Sequence, residues 1–98
     1  MIVKIHEAYR NVVAICDSDL LGKKLEEGNL QLDLSGNFFK GEEKTDEEVL
    51  EIIEDQKRED ATFNIVGERA CELAVRCELI SPGAILKISG VPVSLALL

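Results

Sequence analysis

The sequence predicts one domain, residues 1–98, of α+β or α/β class: a mixed β-sheet with about three helices and a C-terminal βαβ unit. Three observations carry this. The run Phe63-Asn64-Ile65-Val66 stops at Gly67, a helical pattern starts at once at Glu68-Arg69-Ala70, and a second apolar run, Ala84 to Ile88, follows Ser81-Pro82-Gly83. Leu30-Gln31-Leu32-Asp33-Leu34 alternates strictly, which marks a strand buried on one face. Thr45-Asp46-Glu47-Glu48 is a capping box, in which the threonine hydroxyl and the glutamate carboxylate each take a backbone N–H at a helix start.

The elements follow in order. Met1 to His6 and Val12 to Cys16 read as strands joined by a turn at Glu7 to Asn11, hence an antiparallel pair. Asp17-Ser18-Asp19 offers capping oxygens, so Leu20 to Leu25 is expected to make one or two helical turns before Gly28 ends them. After the alternating leucines and the Ser35-Gly36-Asn37 turn come two adjacent aromatics, Phe38 and Phe39; an extended backbone would send them to opposite faces. A helix runs from Asp46 to about Lys57, with Val49, Ile52, Ile53 and Gln56 as its inner stripe, acids at its start and bases at its end. Ala61 to Val66 is a strand, and Glu68 to Ile80 a helix with Glu72 and Arg76 spaced for an ion pair. Ala84 to Ile88 returns as a strand, and Val91 to Leu98 closes the chain. Pro92 lacks an N–H, so that last strand is expected at a sheet edge or to begin at the proline; an uncharged apolar edge would suit pairing with a second copy, which leaves monomer or homodimer open.

Composition excludes more than it selects. With 46% hydrophobic and 31% charged residues the chain is ordinary globular material, and no apolar run approaches the roughly 20 residues of a membrane span. No secretory signal pattern opens it, so a cytoplasmic location without membrane association is expected. A net charge of −8 repels phosphate backbones, which counts against nonspecific nucleic-acid binding but leaves room for a local basic patch. The three cysteines show no Cys-x-x-Cys spacing, and Cys71 and Cys77 lie about 9 Å apart along one helix, too far to bridge.

Enzymatic patterns are sparse. The single histidine, His6, and Cys16 share the first hairpin, so a dyad is conceivable there, but neither sits in a nucleophile motif. The acidic clusters lack the spacing of a calcium loop, and no metal or cofactor is expected. Leu21-Gly22-Lys23-Lys24 and Val66-Gly67-Glu68-Arg69 have too few glycines for a phosphate-binding fingerprint. A helix start beside Arg69 would draw an anion, although Glu68 occupies that position with a negative charge of its own. The crevice beyond the carboxyl ends of a parallel strand pair is the expected site, with Asn64, Gly67 and Glu68 on its lip and Asp17 to Lys24 at its flank.

Taken together, Cys16-Asp17-Ser18-Asp19-Leu20-Leu21-Gly22-Lys23, Glu27-Gly28, Phe38-Phe39-Lys40-Gly41, Asn64-Ile65-Val66-Gly67-Glu68 and Gly90-Val91-Pro92 resemble an archaeal family of small proteins known only as domain of unknown function 424. The resemblance spans nearly the whole chain. It implies an archaeal cytosolic protein and brings no established activity, only a suggested link to RNA and translation. In that family a histidine commonly follows the Val-Pro pair; Val93 stands there here, so chemistry resting on that histidine would be missing. The resulting expectation is a noncatalytic cytosolic module that binds a protein partner or small ligand. Its candidate residues are Asp17, Gly22, Lys23, Lys24, Phe39, Asn64, Gly67, Glu68 and Arg69. The alternative is an RNA-associated protein of the translation apparatus, using Lys23, Lys24, Lys40, Arg69, Arg76 and Lys87 with a stacking phenylalanine.

Overall fold

A computed structural model describes residues 1–97. Strands β1 (Ile2–His6), β2 (Val12–Cys16), β5 (Glu42–Glu43), β6 (Thr62–Val66), β7 (Leu86–Ile88) and β8 (Val91–Leu97) form a mixed sheet in the order β5-β1-β2-β6-β8-β7. Strands β3 (Lys24–Glu27) and β4 (Leu30–Asp33) make a separate hairpin. Helices α1 (Asp46–Arg58) and α2 (Glu68–Arg76) complete a mixed α+β architecture. Among the described residues no helix is long and apolar enough to cross a membrane.

Strand alternation sorts the core into two layers. Val13, Ile15, Phe63 and Ile65 point to one face, where Val49 and Ile53 of α1 and Ala70, Leu73 and Ala74 of α2 cover them. Ile2, Ala14, Cys16 and Val66 point to the other, beneath Leu25 and Leu34 of the hairpin region and Phe39.

The first hairpin forms as expected, with Ile2 opposite Cys16 and His6 opposite Val12. The capping box forms too: the Glu48 N–H donates to Thr45 Oγ1 at 3.2 Å and the Thr45 N–H to Glu48 Oε1 at 2.9 Å. The Thr45 backbone N–H, with its hydroxyl second, holds the Glu48 carboxyl below the usual glutamate range. A carboxylate whose folded pKa is depressed adds stability above its unfolded pKa and loses it as pH falls through the folded value. Glu48→Gln is therefore expected to lower the urea midpoint at about pH 7 and to match wild type more closely at about pH 3. Urea titrations at the two pH values check this; a gap that persists in acid would remove the ionised cap from the account.

Four expectations need correction. The helix expected over Leu20 to Leu25 is one 3₁₀ turn, Ser18–Leu20, because Gly22 takes φ 91° and the following residues pair as β3. Helix α2 stops at Arg76 rather than Ile80. Glu78 adopts φ 61° and donates to the Val75 carbonyl while Leu79 donates to Ala74, a Schellman end built without the usual glycine. Phe38 and Phe39 do not lie in a strand; they sit in a bend that still buries Phe39 and leaves Phe38 partly exposed.

The fourth concerns β8, which is interior over Val91–Val93, between β6 and β7. Strands β6 and β7 consequently run in the same direction with β8 between them, so the C-terminal βαβ unit is a split one. Pro92 is tolerated there because the carbonyl it would pair with, that of Gly67, instead accepts the Cys71 N–H at 3.0 Å, while the Gly67 N–H donates to Pro92 O at 2.9 Å. The adjacent parallel pair is β2 and β6, whose crossover carries the β3–β4 hairpin, β5 and α1.

Candidate binding site

Because β2 and β6 are parallel neighbours, the residues just beyond their carboxyl ends, Asp17 and Gly67, meet. Asp17 is buried and its carboxylate reaches the start of α2, accepting from the Arg69 N–H at 3.1 Å (Oδ2) and the Ala70 N–H at 2.8 Å (Oδ1). The residue in the N-cap position, Gly67, has no side chain, so an oxygen from a distant strand end performs the cap. A β-carbon on Gly67 would overlap that carboxylate. The positive end of α2 is thus filled from within the chain, and the anion expected beside Arg69 has no place there.

Around this cap the candidate residues divide. Asp17, Glu68 and Arg69 line a cavity of about 290 Å³ together with Asp19 and Val91. Arg69 also pairs with Asp46 of α1 at 3.2 Å. Gly22, Lys23 and Lys24 lie at the entry to β3, where the Gly22 N–H donates to Leu34 O at 2.7 Å and Lys24 stands opposite Asp33. Asn64 points from the middle of β6 to the face that carries Val66, away from α2, and Phe39 is buried in that second core layer. The six basic side chains of the RNA expectation are spread over four places: Lys23 and Lys24 at the start of β3, Arg69 and Arg76 at the two ends of α2, Lys87 on β7 at one edge of the sheet and Lys40 beside β5 at the other.

The Cys16 and His6 pairing does not occur. They stand at opposite ends of the β1–β2 ladder, about 13 Å apart by strand rise. Burial, with Asp17 second, pushes the Cys16 thiol up to about 11, so it is no thiolate at neutral pH. His6 instead donates through Nε2 to the Phe38 carbonyl at 2.8 Å and stacks on that ring, centroids 4.7 Å apart. Among the described residues no cluster of histidine, cysteine and carboxylates could hold a metal ion.

The larger recess was not read from the sequence. It is a groove of about 530 Å³ between α2 and the β7–β8 hairpin, next to the first cavity, with Glu68 and Pro92 lining both. Cys71, Val75, Ile85 and Pro92 make its apolar floor. Its rim carries Glu68, Glu72, Arg76 and Lys87. The expected Glu72–Arg76 pair is not formed, and among the described residues none of the four rim charges makes an ion pair. Burial, and then Asp17, pushes the Cys71 thiol up to about 11, which keeps it neutral in the floor. A signal for this groove did exist: besides the core stripe of Ala70, Leu73 and Ala74, α2 carries a second apolar row, Cys71 and Val75, more than one-sided burial needs.

Comparison with known proteins adds the following. The sequence pattern of the family described as "Protein of unknown function (DUF424)" matches residues 6–97. The fold is similar to a solved structure titled "Crystal structure of an uncharacterized conserved protein from Methanopyrus kandleri", with a TM-score of 0.83 and 28% identity over 96% of this chain and 87% of that one. No curated protein matches the sequence.

Proposed function

The chain belongs to that family of unknown function, and we propose that it is a noncatalytic cytosolic partner- or ligand-binding module whose site is the groove between α2 and the β7–β8 hairpin. One observation carries the reading: an apolar floor ringed by four charges of both signs, none of them paired within the described residues. Its volume lies within the roughly 300–1,000 Å³ of small-molecule sites. Covering about 100 Å² of apolar ligand surface would supply about 2.5 kcal/mol, short of the 8 kcal/mol or so that micromolar binding requires. The rim charges must furnish much of the remainder, so the groove suits an apolar body with a charged end, its anion at Arg76 and Lys87.

The test uses 4-phenylbutyrate as the probe in an amide-shift titration. Shifts are expected at residues 68–76 and 85–87, and Arg76→Glu should weaken binding about tenfold in a protein that circular dichroism shows still folded, with a modest loss of melting temperature because an acid now ends α2 four residues from Glu72. Shifts elsewhere, or full affinity in Arg76→Glu, would refute the reading. RNA association has one supporting feature, the exposed Phe38 stacked on His6. A single-stranded RNA oligonucleotide in the same titration is expected to leave the amides of residues 4–6 and 38 unmoved; movement there would favour that alternative.

A further inference from the structure

The two edges of the sheet are finished differently. At one, β5 is two residues long and both are glutamates, a short charged strand that discourages pairing. At the other, β7 covers β8 only as far as Val93, opposite Leu86; the Ser94 hydroxyl still donates to Ala84 O at 3.1 Å, and beyond it Leu95–Leu97 has a strand on one side alone, β6. The register shows which backbone groups are left over. Since the Gly67 N–H donates to Pro92 O, residues 92, 94 and 96 turn their backbone groups toward β6, and Val91, Val93, Leu95 and Leu97 turn theirs the other way. Val91 and Val93 meet β7; Leu95 and Leu97 meet nothing among the described residues. Their side chains are 55% and 70% exposed. Residues 88–98 are also the longest stretch of the chain without a charged residue, in a protein of net charge −8.

We propose that this edge pairs with the same edge of a second copy, β8 antiparallel to β8 about a two-fold axis through Ala96, joining two sheets into one. The groups left over are self-complementary in this register. Leu95 of each copy stands opposite Leu97 of the other, and each of these two pairs exchanges two N–H···O bonds. On the face away from the helices the same pairing brings four exposed leucine side chains into one cluster, and no like charges are brought into contact along the seam. The contact is small, so the dimer is weak and depends on concentration. It lies apart from the α2 groove, so it stands or falls separately from the ligand-binding reading.

Sedimentation equilibrium over about a hundredfold range of concentration reads it out. Wild type is expected to move from the mass of one 10.8 kDa chain toward that of two. The variant Leu95→Lys with Leu97→Lys sets like charges opposite each other and is expected to weaken association at least about tenfold. Leu95→Lys with Leu97→Glu places opposite charges across the seam in both pairs and is expected to restore it. Both positions are exposed, so circular dichroism should show wild-type folding; Leu97→Pro, which removes only an outward N–H, provides a third variant that should also dissociate. A wild type that stays monomeric throughout, or a dimer indifferent to the lysine pair, overturns the proposal, and failure of the Lys/Glu variant to re-associate overturns its register.

Discussion

Gly67→Ala is expected to destabilise the protein by about 3 kcal/mol, from two sources that can be separated. The first is backbone. Gly67 has φ 113° and ψ 158°, a region essentially reserved for glycine, and a side chain there costs on the order of 1–3 kcal/mol. The second is the cap: the new methyl would occupy the space of the Asp17 carboxylate, which would have to release the Arg69 and Ala70 N–H groups, at about 1–2 kcal/mol. Asp17→Ala alone loses only the cap. In the double variant the methyl no longer meets a carboxylate, so Gly67→Ala should cost clearly less there than in wild type, leaving mostly the backbone part. Urea unfolding of the four proteins measures the coupling. Strictly additive costs would mean that Gly67 and Asp17 do not act on each other.

That interaction also marks how far the sequence could be read. The strands with clean alternation, the capping box and the strand-glycine-helix passage are local patterns, and each was legible because neighbouring residues decide it. The Asp17 cap was half legible. A capping aspartate and a glycine at a strand end each show locally, but the contact between them depends on β2 and β6 being parallel neighbours, which no short window of sequence contains. Glu78 was misread for a related reason: a left-handed helix end usually shows a glycine, and here the burial of Leu79 and Ile80 holds a glutamate in that conformation. The insertion of β8 between β6 and β7 was hidden by Pro92, whose ordinary meaning is an edge; the diversion of the Gly67 carbonyl into α2 cancels it. The α2 groove follows from that insertion. Its floor joins Cys71 and Val75 of the helix to Ile85 and Pro92 from the hairpin region, so it has no signature before the topology is known.

Gly41→Ala is the second large effect, again about 3 kcal/mol, and it arises from crowding instead of conformation. A β-carbon at Gly41 would fall on the Val3 carbonyl and lie 2.9 Å from Lys4 Cα, both backbone atoms of β1 that cannot rotate away. The chain here crosses β1 before entering β5, where Glu42 pairs with Val3 and Glu43 with Ile2. To admit a methyl, the segment has to lift from the sheet. Phe39, 3% exposed, sits two residues earlier in the same bend and would be drawn out of the second core layer, where losing an aromatic side chain altogether costs about 3–5 kcal/mol. The penalty should therefore overlap with that of Phe39→Ala: if Gly41→Ala acts by pulling Phe39 out, the double variant loses much less than the sum of the two. Gly36→Ala is the control from the same loop, with open space around its added methyl, and should leave stability unchanged or raise it slightly. Urea midpoints of these variants decide the matter. A Gly41→Ala protein as stable as Gly36→Ala would mean that the chain passes β1 with room to spare.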